Sequence, residues 1–200
     1  IVIITTNLSD SKTRKIPDNV EILRIPYGPS FKCKILSLLN YFNPLIQEEV
    51  RFIKEKVLLK PDKSILSILL ASYAKAMEIN AFLNRLVADY KLDVKHLYLY
   101  CYWMNDITSG VAMFKHKNPE VKAFCRVHRW DVYFETQKPP YLPFRNFIIR
   151  TLDSVYCISQ DAFRYLQQLT NNRYTGHLKI SRLGTFNRDK ITTLPNSGMM

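Results

Sequence analysis

Apolar positions along the chain fall into short β-branched runs, separated by longer stretches with helical spacing. Ile1-Val-Ile-Ile4 reads as a buried strand, and residues 8–19 are mostly polar, as a surface loop is. Val20 to Ile25 alternates and predicts a second strand, ended by Pro26 and Gly28. Residues 31–43 have helical spacing. Pro44 suits the first turn of a further helix that runs to about Lys60 and stops before Pro61. Asp62 suits the N-cap of a long helix. Its positions Ile65, Leu69, Ser72, Ala76, Ile79, Leu83, Leu86 and Val87 follow three-four spacing, the stripe by which a helix meets a core.

The second half alternates between the two periods. His96 to Tyr100, Val121 to Val127, Ser154 to Ile158 and His177 to Leu183 read as strands. Trp103 to Lys117, Phe144 to Leu152 and Asp161 to Leu169 read as helices, with a loop carrying Pro139, Pro140 and Pro143. Strands alternating with helices of this length give βαβ units and a parallel sheet. The expected fold class is therefore α/β, a Rossmann-like three-layer domain with a mainly parallel sheet. It should occupy residues 1–190, with 191–200 the start of a linker. There is no internal repeat.

Composition adds two things. Of the 200 residues 47% are hydrophobic and 23% charged, enough for a sizeable core. Lys+Arg number 29 against Asp+Glu 17, a net charge of +12, which draws phosphates, nucleic acid or anionic lipid. The segment 31–60, with Lys32, Lys34, Arg51, Lys54, Lys56 and Lys60 beside Tyr41, Phe42 and Phe52, is the best candidate for touching a membrane surface; a solvated basic face is the default reading. No run of eighteen apolar residues predicts a spanning helix. Cys33, Cys101, Cys125 and Cys157 form no CxxC pair, and three of them sit in apolar strand-like runs, as small core residues kept reduced in a cytosolic compartment do. GxGxxG, GxxxxGK[ST] and GxSxG are all absent, no Asp-x-Asp pair offers a divalent metal its usual carboxylates, and no Cys–His spacing suits zinc.

The candidate chemistry stands at strand ends, which share one edge in a parallel sheet. After the first strand of the second half come Tyr102 and Trp103. After the second come Arg126, His128 and Asp131. Ser159 follows the third, and Arg182 and Gly184 the fourth. Each also has a plain reading. Tyr102 and Trp103 are core aromatics or a sugar platform; His128 is a backbone-bonded histidine or a ligand contact. Asp131 and Ser159 read first as caps, Arg182 as a surface cation and Gly184 as a tight turn. His96, His116 and His177 stand in no constellation.

Arg126-Val-His128-Arg-Trp-Asp131, then Tyr141-Leu-Pro-Phe-Arg145, Leu152-Asp153, Ile158-Ser159 and Ser181-Arg-Leu-Gly184, come in an order and spacing that resembles the amino-terminal half of bacterial retaining glycosyltransferases of the group 1 (family 4) type. The resemblance runs from about Leu97 to Phe186 and implies one half of a two-domain GT-B fold. The amino-terminal domain of such enzymes supplies the acceptor side of the cleft. A carboxyl-terminal domain binds the nucleotide-sugar donor through a pair of glutamates, usually without an essential metal. Neither that domain nor the usual glycine-bearing first strand is matched here, so the resemblance implies a fragment, inactive alone. It gives His128 contact with the transferred sugar near the reacting carbon; Arg126 and Asp131 hold that loop. Tyr102 and Trp103 line the acceptor cleft, and Ser159, Arg182 and Gly184 stand at later rim positions near the donor. Arg129 replaces the glycine that commonly follows the histidine. The expected partners are a nucleotide-sugar and a glycan or lipid-linked acceptor for cell-surface polysaccharide synthesis, and the expected location is the cytoplasm, either free or peripheral at the inner membrane face. The rival expectation is a non-enzymatic nucleic-acid-binding domain, which the charge and 12% aromatics permit. Its basic residues are scattered, however, and most aromatics fall in core-like runs.

Overall fold

The computed structural model describes residues 2–5, 18–24 and 39–184. The expectations for Ile1, for residues 6–17 and 25–38, and for residues 185–200 with their linker lie outside the described residues. So does Cys33.

Two parallel sheets form. Strands β1 (Val2–Thr5) and β2 (Glu21–Arg24) pair with each other. Strands β3 (Tyr98–Cys101), β4 (Lys122–Val127), β5 (Ser154–Cys157) and β6 (Leu178–Ile180) make a second sheet in sequential order. Every described pairing is parallel. The register aligns Cys101 with Cys125, Val127 with Cys157, and Cys157 with Ile180. Leu99, Ala123, Cys125, Val127, Val155 and Leu178 thus share one face, and Tyr98, Tyr100, Phe124, Arg126 and Tyr156 the other. Right-handed crossovers between strands in sequential order put their helices on a single face. Those helices are α3 (Asp106–Lys117), α5 (Arg145–Thr151) and α6 (Gln160–Leu169).

Helix α1 (Pro44–Phe52) starts as its sequence predicts, with Pro44 in the first turn and Asn43 accepting the Leu45 N–H (3.0 Å). It ends sooner than predicted, widening into a π-turn at Ile53–Val57 and stopping at Leu58 (φ 56°). Helix α2 (Lys63–Asp89) is capped by Asp62, which accepts the Ile65 N–H at 2.9 Å. Its predicted stripe is buried from Ile65 to Leu83. By length and composition α2 could cross a membrane, yet that stripe belongs to the core. Helix α3 crosses α2 at Gly110. A Cβ there would stand 2.5 Å from Ile79 Cβ and 2.7 Å from Ala76 O, so only glycine permits this approach. Beside the crossing, Asp106 accepts from Ser72 Oγ (2.5 Å) and Lys75 Nζ (3.1 Å). The core continues through Phe114, Phe144, Ile148, Leu152 and Leu166.

In the basic segment, Phe52 is core, whereas Arg51, Lys54, Lys56 and Lys60 are exposed. Cys101, Cys125 and Cys157 are buried and free. Burial pushes the Cys101 thiol up to about 11 and Cys157 to about 12, so both stay protonated and inert.

Candidate functional site

The carboxyl ends of β3 to β6 emerge on one rim, the edge at which α/β sheets take ligands. At its centre is His128, the first residue past β4, only 9% exposed. Its imidazole lies 4.7 Å from the Tyr102 ring and 4.3 Å from the Trp103 ring, centroid to centroid. The two aromatics meet edge-to-face at 5.4 Å. Both are about half exposed (49% and 43%), so they are a surface platform rather than core. His128 Nε2 is buried and has no hydrogen-bond partner. In either neutral tautomer that nitrogen is a donor or an acceptor, and leaving it unpaired costs about 1–3 kcal/mol.

Asp131 builds this arrangement rather than facing a ligand. Its Oδ1 accepts the His128 N–H at 2.6 Å, and its Oδ2 accepts the Met104 N–H at 2.7 Å. One carboxylate therefore ties the loop after β4 to the loop after β3 and fixes the three rings together. It sits in a short helix α4 (Arg129–Val132) that starts directly after His128. Burial pushes the Asp131 carboxyl up, against the two backbone N–H groups and the Arg145 guanidinium.

Behind Asp131 runs a chain of buried polar contacts. Arg145 Nε donates to Asp131 O (2.9 Å), and an outer nitrogen donates to Pro143 O (3.1 Å). The adjacent Phe144, held in the left-handed region at φ 61°, donates its N–H to Glu49 Oε1 (2.9 Å). Tyr141 Oη donates to the same oxygen at 3.0 Å. Glu49 is 3% exposed, and burial pushes its carboxyl up to about 7 against those two bonds and the Arg145 charge. A carboxyl on α1 is thus linked, through the loop before α5, to the residue that sets His128.

Two clefts open beside Trp103. One of about 390 Å³ runs past Asp106, Trp130, Asp131, Gln137 and Arg145. The other, about 540 Å³, lies between β1 and β3 and is apolar. His128 is in the lining of neither cleft; its imidazole packs against the Tyr102 and Trp103 rings beside them.

The other predicted residues take separate places. Arg126 reaches along the outer sheet face, donating to Tyr100 Oη (3.2 Å) and to Ser181 O and Oγ (3.0 Å each). Ser159 caps α6, accepting the Ala162 N–H at 3.1 Å. Arg182 and Gly184 follow β6 and are exposed; a Cβ at Gly184 meets nothing within 4 Å, so no close approach there calls for glycine. The structure thus joins Tyr102, Trp103, His128 and Asp131, and leaves Arg126, Ser159, Arg182 and Gly184 engaged elsewhere or open. Glu49, Trp130 and the backbone of Met104 were not foreseen. Glu49 lies over ninety residues from its partners, with no local pattern to mark it. Trp130 was readable as an aromatic beside His128. Among the described residues no group of His, Cys, Asp and Glu could hold a metal ion.

Fold and rim together define an α/β protein with a parallel sheet and, at the carboxyl-terminal edge of its strands, a buried histidine packed against two aromatic rings. No family model, curated protein or solved structure matches the chain.

Proposed function

We propose that the chain is the acceptor-side, Rossmann-like half of a two-domain retaining glycosyltransferase, which moves a sugar from a nucleotide-sugar onto a glycan or lipid-linked acceptor. The observation that carries the reading is the unpartnered, buried Nε2 of His128 beneath two half-exposed aromatic rings. A sugar offers what that place lacks. Its hydroxyls pair with an imidazole nitrogen whichever tautomer is present, and its apolar faces suit aromatic rings. In this role His128 binds and orients a hydroxyl near the reacting carbon. Tyr102 and Trp103 swing to admit the ring and exclude water behind it. Asp131 and Arg145 hold the loop without touching substrate. The net charge of +12 favours a diphosphate-bearing donor or an anionic surface. The ordered segments from Arg126 to Gly184 that resemble group 1 enzymes point the same way.

The test is sugar transfer by the full-length protein, with a donor-binding domain following this one, against a panel of radiolabelled nucleotide-sugars. His128→Ala should lower kcat/KM at least about tenfold, the worth of one hydrogen bond to the reacting group, while the far-ultraviolet spectrum stays unchanged. Transfer by the variant at the wild-type rate contradicts the assignment.

A further inference from the structure

We propose that a pocket among α1, α2, α3 and α5 binds a free medium-chain fatty acid, its carboxylate at Lys117 and Asn80 and its alkyl chain along Met77 toward Tyr73. The pocket holds about 590 Å³ and shares no lining residue with either cleft beside Trp103. That volume is of the size that takes small organic ligands. The inference stands on this pocket and does not need the glycosyltransferase reading.

The polar groups of the lining are sorted by kind. Asn43 Oδ1 accepts the Leu45 N–H (3.0 Å), and Asn80 Oδ1 accepts from Asn84 Nδ2 (3.3 Å). Both Glu48 oxygens accept from Arg150, one of them at 2.8 Å. The carboxylate and amide oxygens around the pocket are thus engaged. What remains to bond a ligand is a set of donors: the amide N–H groups of Asn43 and Asn80, and the exposed Lys117 ammonium. Arg150 is answered by Glu48, which leaves Lys117 as the cation for a ligand. A cation in the last turn of α3 also suits the helix dipole. The two amides, from α2 and from the residue before α1, have no such reason to turn donors to the same space. One cation fits a monoanion. A phosphate monoester, with nearly two charges, would set the second against Glu48.

The rest of the lining says what the anion is attached to. Tyr73, Met77 and Asn80 stand on successive turns of α2, so the wall passes from ring to thioether to amide over about 11 Å. Leu45, Met113 and Phe147 close the sides. Unbranched thioethers adapt to a flexible chain. Donors at one end and apolar groups toward the other match an amphiphile.

The test titrates decanoate, below its micelle concentration, into the 200-residue chain carrying carbon-13 methionine methyls. The Met77 and Met113 signals should shift and saturate together, while the Trp103 indole signal stays still. Lys117→Ala should weaken binding about fivefold, as loss of a solvent-screened ion pair does. Ala81→Glu, which sets a carboxylate at an exposed position of the lining, should weaken it at least as much. Decylamine, with a similar chain and the opposite charge, should give no saturation. Absence of a saturable shift with decanoate overturns the proposal. So does decylamine binding as tightly as decanoate, which would reduce the pocket to apolar adhesion. So do anionic lipid vesicles that move both methyls when free decanoate does not, which would assign the pocket to a membrane surface.

Discussion

The two faces of the β3–β6 sheet come from the same strands and differ in almost everything else. The inner face carries Ala123, Cys125, Val127, Val155 and Cys157, each fully buried beneath helices. The outer face carries Tyr98, Tyr100, Phe124, Arg126 and Tyr156, exposed or half-buried, with Arg126 laid along it. The difference shows where rigidity and adaptability are placed. Behind the inner face, polar groups are locked by backbone bonds and a helix crossing tolerates no side chain at Gly110. On the outer face the rings of Tyr98 and Tyr100 are exposed and Arg126 is half-buried, bonded only to Tyr100 and Ser181. Substitutions of the locked groups should therefore cost more than those on the outer face.

The largest effect is expected at Asp131. Asp131→Ala strands two buried N–H groups, of His128 and Met104, and should lose roughly 3 kcal/mol or more in urea unfolding. The Trp103 fluorescence should shift as the ring triad loosens.

Next comes the pH dependence set by Glu49. Burial raises its folded pKa from 4.5 to about 7, so the folded chain keeps a proton that the unfolded chain releases. The stabilising effect of that proton is fully present below pH 4.5 and is lost as pH rises through about 7, a change of about 3 kcal/mol. Glu49→Gln keeps an oxygen for Tyr141 and Phe144 but cannot titrate. Denaturation series from pH 4.5 to 8 should slope downward for the wild type, with this contribution missing from the variant.

Gly110→Ala should cost roughly 2 kcal/mol by overpacking the α2–α3 crossing. Arg126→Ala, which removes half-buried contacts to Tyr100 and Ser181 on the outer face, should cost about 1 kcal/mol, as solvent-screened polar contacts do. If Arg126→Ala destabilises as much as Gly110→Ala in the same urea series, the contrast between the faces fails.

The sequence announced the α/β class clearly, because helical and strand periods alternate without ambiguity after Asp62. Element ends were less legible. The helix foreseen from Trp103 begins at Asp106, because Asn105 accepts the Ile107 N–H and takes the cap, leaving Trp103 free for the rim. The strand foreseen at His177 to Leu183 shortens to Leu178–Ile180, with Ser181 alone adding a bond to Cys157 O. The capping readings of Asp131 and Ser159 describe what their side chains do, since a short acceptor beside bare amide groups is a local matter. The ring triad was visible only as separate aromatics and a histidine. Its assembly depends on a register that brings Tyr102 and His128 side by side. Glu49 and Gly110 were silent because their roles come from partners far along the chain.

The central claim is that the buried His128 nitrogen waits for a sugar hydroxyl under the Tyr102 and Trp103 rings. Nitrogen-15 NMR of the full-length protein, titrated with the nucleotide-sugar it transfers, reads that atom directly. The account predicts that the His128 Nε2 resonance shifts together with the Trp103 indole signal, saturating at one ligand concentration. A titration that saturates transfer while both signals stay still would contradict it.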